Sequence, residues 1–238
     1  MTNKLNPPGG GCNDEESAKT LTVAAARETI LASCVSVSGI EKLALRDALG
    51  RALAADIISP VNVPGHTNSA MDGYAISGND IPGDEPRGFK VIATAYAGKP
   101  VSLSCGPGEC VRIMTGAPMP AGTDTVVMQE QVDINAAGHA LIGSGHRAGQ
   151  NVRRAGEDIL KSSTVLESGR SLTPADLGVL ASLGLFEVSV YRRPRVAFFS
   201  TGDELRSAGE PLGEGELYDS NRYSLYGMLK KLDVEILD

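Results

Sequence analysis

The sequence contains no tryptophan, and aromatic residues make up only 4% of its 238 positions. A core must therefore be assembled from Val, Leu, Ile and Ala. Clustered positive charge is also missing. Arg153-Arg154 is the nearest approach to a basic block, and the net charge is −7. Without a basic face, nucleic-acid binding is set aside. No apolar run is long enough to cross a bilayer. Residues 1–19 are polar and glycine-rich, without the pattern of a secretory signal. A cytoplasmic location away from membranes is expected. The four cysteines, Cys12, Cys34, Cys105 and Cys110, fit no zinc spacing and read as free thiols. His66, His139 and His146 show no ligand spacing, and no nucleophile–histidine set stands out.

Glycine (28) and proline (13) are abundant, which predicts many turns. Residues 1–16 read as a disordered tail, too polar to bury apolar area. Thr22 is a plausible N-cap for a helix carrying Val23, Ala26, Ile30, Leu31 and Cys34 on one face. A short strand near Leu43 and Leu45 follows, then a helix over 47–55 weakened by Gly50. From Pro60 to about Ile142 the pieces are short and β-branched, such as Lys90-Val-Ile-Ala-Thr94, Cys110-Val-Arg-Ile-Met114 and Thr125-Val-Val-Met-Gln129. That texture predicts an inserted β-domain or barrel. Thr173-Pro174-Ala-Asp176 is a strong helix start, with Gly184 as its stop. Val196-Ala-Phe-Phe199 reads as a strand buried on both faces. A helix capped by Ser220 or Asn221 and a strand at Val234-Glu-Ile-Leu237 complete a β–loop–α–β opening of a parallel sheet. Two such strands with one helix leave a face uncovered, so the expectation is a sequence cut short.

Four segments carry chemistry. In Asn68-Ser-Ala-Met-Asp72-Gly-Tyr74, a glycine beside an acid lets backbone approach a ligand; read alone, it is an ordinary turn. Arg112-Ile-Met-Thr115-Gly-Ala-Pro118 ends a strand in a hydroxyl and free amides suited to an oxyanion, or simply turns. Asn151-Val-Arg153-Arg-Ala-Gly-Glu-Asp158-Ile159 offers guanidinium forks for oxyanions, or a self-neutralising surface turn. Ser200-Thr201-Gly202-Asp203-Glu204-Leu205 lies at the carboxyl end of a parallel strand, where open sheets bind ligands. Its hydroxyls suit phosphate, and Asp203 or Glu204 suits a hard cation such as Mg²⁺. Gly143-Ser-Gly145-His-Arg-Ala-Gly149 is a poor dinucleotide fingerprint, with its third glycine one residue late.

In this order, the four segments resemble the molybdopterin molybdenumtransferase family, the bacterial MoeA proteins and the gephyrin C-terminal domain, from about Thr20 to the end. The resemblance implies a multidomain α+β and α/β homodimer. A helical dimerisation arm would span 17–59 plus 156–190, with a β-domain inserted at 60–155. A three-layer α/β molybdopterin-binding domain would begin at 191 and be incomplete at 238. The implied reaction inserts molybdate into adenylylated molybdopterin and releases AMP, with Mg²⁺. It implies catalytic roles for Asp72, Thr115 and Glu204. Arg153, Asp158, Ser200, Thr201, Gly202 and Asp203 would bind substrate, and Asp203 and Glu204 would hold metal. A molybdopterin adenylyltransferase is an implied partner. The family's later glycine-rich phosphate loop, downstream lysines and terminal barrel have no counterpart here. The alternative is a non-catalytic, dimerising fragment.

Overall fold

The computed structural model describes residues 21–237; the tail expected over 1–16 lies outside the described residues. Contacts divide the chain into Gly39–Arg192 and a second unit holding the described residues on either side. In chain order the described elements are α1 (Val23–Ser33), β1 (Ile40–Ala44), β2 (Ile57–Ile58), β3 (Asn68–Ser69), β4 (Gly73–Ile76), β5 (Arg87–Ala95), β6 (Glu109–Ile113) and β7 (Thr125–Met128). Then come β8 (Val132–Ile134), β9 (Ala140–Ile142), β10 (Val152–Arg153), β11 (Thr164–Leu166), α2 (Pro174–Ser182), β12 (Glu187–Tyr191), β13 (Arg195–Ala197), β14 (Leu205–Arg206), β15 (Leu217–Tyr218), α3 (Ser220–Lys231) and β16 (Glu235–Leu237).

The unit Gly39–Arg192 is built around a six-stranded mixed sheet in the order β7–β4–β6–β5–β9–β8. Only the β5–β6 pair is parallel. Strands β4 and β7 are buried on both faces, and the two-residue period of a strand sorts the sheet's apolar side chains into two cores. Tyr74, Ile76, Phe89, Cys110 and Val127 meet on one side. Ala75, Val111, Ile113, Val126 and Ala95 meet on the other. Each large side chain hidden this way contributes about 1.5–3 kcal/mol. The sheet closes tightly at Gly73. A Cβ there would lie 2.0 Å from the Val127 carbonyl oxygen, so β4 and β7 can pair at this register only through glycine.

A third core gathers Ala48, Leu53, Leu166, Leu172, Leu180, Val188 and Val190. Here β1 pairs antiparallel with β12, and β2 with β11. Helix α2 starts as predicted. Thr173 is its N-cap and Pro174 its first residue, and Asp176 completes a capping box. One expectation fails in this region. The helix over 47–55 is replaced by a single 3-10 turn, Leu45–Ala48, followed by bridges Ala52↔Ser171 and Leu53↔Val190. Gly50 adopts φ +76°, a left-handed conformation that ends the turn. The described residues of the segments expected to form a helical arm, 17–59 plus 156–190, hold two α-helices, α1 and α2, together with β1, β2, β11 and most of β12.

In the other unit, α1 is capped by the Thr22 hydroxyl, which accepts from the Ala25 N–H at 3.2 Å. Strands β13 and β16 are parallel, with Val196 opposite Ile236, and α3 lies between them in sequence. The expected β–loop–α–β unit is present. Its N-cap is Asp219, one residue before the predicted Ser220, and its carboxylate accepts from the Arg222 N–H at 3.1 Å. The expected burial of Val196-Ala-Phe-Phe199 is not observed. Phe199 is 82% exposed, because among the described residues β13 has one neighbouring strand and no covering layer.

Candidate functional site

Three of the four singled-out segments meet in the unit Gly39–Arg192. The antiparallel register of β4 and β6 sets Gly73 opposite Ile113. The residues just outside this pair, Asp72 and Thr115, are therefore brought together across 43 positions of sequence. Asp72 Oδ1 accepts from the Thr115 backbone N–H at 2.7 Å and from the Thr115 hydroxyl at 2.8 Å. One turn earlier, the Ser69 N–H donates to the Ala117 carbonyl at 3.0 Å, and the Gly116 N–H donates to the Ser69 carbonyl at 2.8 Å. The third segment closes the other side. Strand β10 pairs Val152 with Ser69 and Arg153 with Asn68, and the Ala70 N–H donates to the Asn151 carbonyl at 2.9 Å.

The electrostatics follow from these contacts. The Thr115 N–H, then the Thr115 hydroxyl, hold the Asp72 carboxyl below its ordinary range; partial burial opposes them and the nearby Arg112 charge assists. Asp72 is thus an anion at neutral pH. Arg153 and Asp158 are also brought together. Arg153 Nη2 donates to Asp158 Oδ2 at 2.5 Å, with Glu157 3.7 Å from Nε. These acids raise the Arg153 pKa, the Asp158 hydrogen bond most of all. The ion pair ties the 153–158 turn to itself, and the Asp158 N–H donates to the Val63 carbonyl at 2.9 Å. Ser69 was not singled out by itself, yet it organises the loop. Its hydroxyl donates to the Met71 carbonyl at 2.6 Å and accepts from the Met71 N–H at 3.2 Å. A serine two residues before a loop backbone group is the signal for such a turn.

The fourth segment lies in the other unit. Ser200 and Gly202 line a cavity of about 560 Å³ that also takes in Arg206, Asp219, Arg222 and Tyr226. Thr201, Asp203 and Glu204 are exposed and stand outside that lining. Arg206 is held by Glu216, whose pKa is lowered first by the Gly213 N–H and then by Arg206 itself. Asp219, Arg222 and Tyr226 escaped the sequence reading because they belong to the first turns of α3, and only the fold of the loop brings them beside Ser200. Among the described residues, no group of three or more His, Cys, Asp or Glu could hold a metal ion. No described helix is long and apolar enough to cross a membrane.

With this geometry in hand, the comparisons with known proteins are specific. Residues 21–184 match the family described as MoeA N-terminal region (domain I and II). A molybdopterin molybdenumtransferase of Haemophilus influenzae is 44% identical over 218 residues, covering 92% of this chain and 54% of that protein. Molybdopterin molybdenumtransferase 2 of Mycobacterium tuberculosis is 40% identical over 184 residues, covering 76% of this chain and 45% of that one. The crystal structure of the molybdopterin biosynthesis MoeA protein of Pyrococcus horikoshii OT3 superposes with a TM-score of 0.80 at 31% identity, over 88% of this chain and 56% of that one. The chain spans about half the length of the curated relatives it matches. A family match over more than half of the sequence, agreeing with both the fold and the convergence of three segments on Asp72, makes this chain a member of the MoeA family.

Proposed function

We propose that this chain belongs to an enzyme of molybdenum cofactor biosynthesis that inserts molybdate into adenylylated molybdopterin and releases AMP. The observation that carries the reading is the convergence of three segments on the Asp72–Thr115 pair, built on a sheet with no slack at Gly73. The names of the relatives supply the substrate class. Opening a phosphoanhydride needs charge neutralisation and positioned polar groups. Asp72 supplies a fixed negative charge. The Ser200 and Thr201 hydroxyls and the Gly202 backbone supply donors for oxyanions, Arg153 and Asp158 hold the loop beside Asp72, and Glu204 completes the catalytic set. Asp203 and Glu204 are adjacent, exposed and without a salt bridge among the described residues. That suits Mg²⁺, which takes one or two carboxylates and fills its shell with water and phosphate. The ion would neutralise phosphate charge. The working form is a cytoplasmic homodimer that receives its substrate from a molybdopterin adenylyltransferase.

The test is molybdate-dependent AMP release by an active form, made by joining the chain to the part of the Haemophilus influenzae relative that the match does not span. Asp72→Asn is expected to abolish most turnover while leaving the dimer intact; full turnover in that variant sinks the reading. A second reading, that residues 1–238 alone associate without catalysing, is favoured by the absence of any buried residue over 193–237. Turnover by the 238 residues on their own overturns it.

A further inference from the structure

We propose that Thr115 is a positioning residue: its N–H and its hydroxyl together occupy Oδ1 of Asp72, at 2.7 and 2.8 Å, and leave Oδ2 as the one oxygen presented to a ligand. The inference deepens the reading of the Asp72 site as a transferase site. It assigns Thr115 a role that acts through another side chain, in place of direct contact with substrate. Three observations carry it.

First, both donors come from one residue, so the carboxylate is gripped like a two-pronged fork and its rotation is stopped. A single hydrogen bond would leave the Asp72 side chain free to turn about its Cβ–Cγ bond and exchange its two oxygens. Second, the grip is rigid because its base is rigid. Thr115 lies two residues past the end of β6 and sits in a turn closed by the Ala117 N–H on the Met114 carbonyl at 3.0 Å. Gly116 takes φ +79° to make that turn. On the other side, Asp72 is anchored through its own carbonyl, which accepts from the Gln129 N–H at 3.0 Å. Third, no hydrogen bond to Oδ2 exists among the described residues, and the charge facing the carboxylate is Arg112 of β6. Arg153, on the neighbouring β10, is already paired with Asp158. An ionised carboxylate with one oxygen saturated and one bare is an acceptor of fixed direction. It suits N–H or O–H donors of a ligand, or a cation, and is ill-suited to shuttling protons at neutral pH.

The consequence can be read without substrate, so its outcome is independent of whether the transferase reading holds. In the 238-residue chain, the Asp72 carboxyl carbon and the Thr115 amide proton are followed by NMR from pH 7 to 2. The Thr115 amide is expected to shift with the Asp72 midpoint, and that midpoint to lie below the ordinary aspartate value. Thr115→Val, which keeps the N–H and loses the hydroxyl, is expected to raise the midpoint; Thr115→Ser is expected to restore it. A Thr115 amide that ignores the Asp72 titration in the wild-type chain overturns the proposal, whatever the variants do. So does a Thr115→Val midpoint equal to wild type in a chain whose remaining amide spectrum is unchanged.

Discussion

The unit Gly39–Arg192 and the stretch 193–237 are written in similar apolar vocabulary and end in opposite states. Phe89, in β5, is fully buried, whereas Phe199, after β13, is 82% exposed. All buried apolar side chains among the described residues fall between Ala48 and Val190. The difference lies in layers, not in composition. In the first region a six-stranded sheet carries a buried apolar cluster on each face. In the second, two separate two-stranded parallel pairs, β13–β16 and β14–β15, and one helix bury no side chain, and an apolar run becomes a strand without becoming core. The consequence for chemistry is equally plain. Asp72 is aimed by a packed scaffold, while residues 200–204 hang from a loop with little beneath it.

That contrast can be broken most severely at Gly73. Gly73→Val drives a Cβ into the Val127 carbonyl, a backbone atom that cannot step aside. A loss of more than about 4 kcal/mol, read as a collapse of the urea midpoint, is expected. An unchanged midpoint would show that β4 and β7 are not paired at this register. Next in size is the phenylalanine pair. Phe89→Ala should cost about 3–5 kcal/mol, and Phe199→Ala less than about 0.5 kcal/mol. Equal losses would mean that the 193–237 stretch has a core of its own. The smallest effect concerns the α2 cap. Three hydrogen bonds converge on the Asp176 carboxylate, one from Arg170 Nε and two from Thr173, and Arg170 Nη2 forms an ion pair with its other oxygen at 3.0 Å. The Arg170 contact, first among them, lowers its pKa from 3.8 to about 2. Because the folded value is the lower one, the stabilisation is complete above the ordinary value and fades as pH falls from 3.8 towards 2. Asp176→Ala should cost about 1–2 kcal/mol at neutral pH. It should also flatten the acid limb of the urea midpoint against pH; an equally steep limb in the variant refutes the cap's role.

Local signals were legible because their partners are close in sequence. Thr173, Pro174 and Asp176 announce α2 within four residues, and Thr22 announces α1. The parallel β13–α3–β16 unit was legible from a strand–helix–strand rhythm. Gly50 was read only as weakening a helix, since the sequence does not display its φ of +76°. The Asp72 loop is the clearest case. Taken alone it is a turn, and neighbouring segments gain meaning for it only through resemblance to a family. The bond that matters, from Thr115 to Asp72, spans 43 residues, and no local rule predicts it.

By itself, then, the sequence determined where α1 and α2 begin, the strand–helix–strand order of β13, α3 and β16, and the family. Tertiary structure alone decided which apolar runs are core and which oxygen of Asp72 stays bare. Burial and hydrogen-bond direction depend on what lies opposite a residue in space, and here the register of β4 against β6 and β7 sets that.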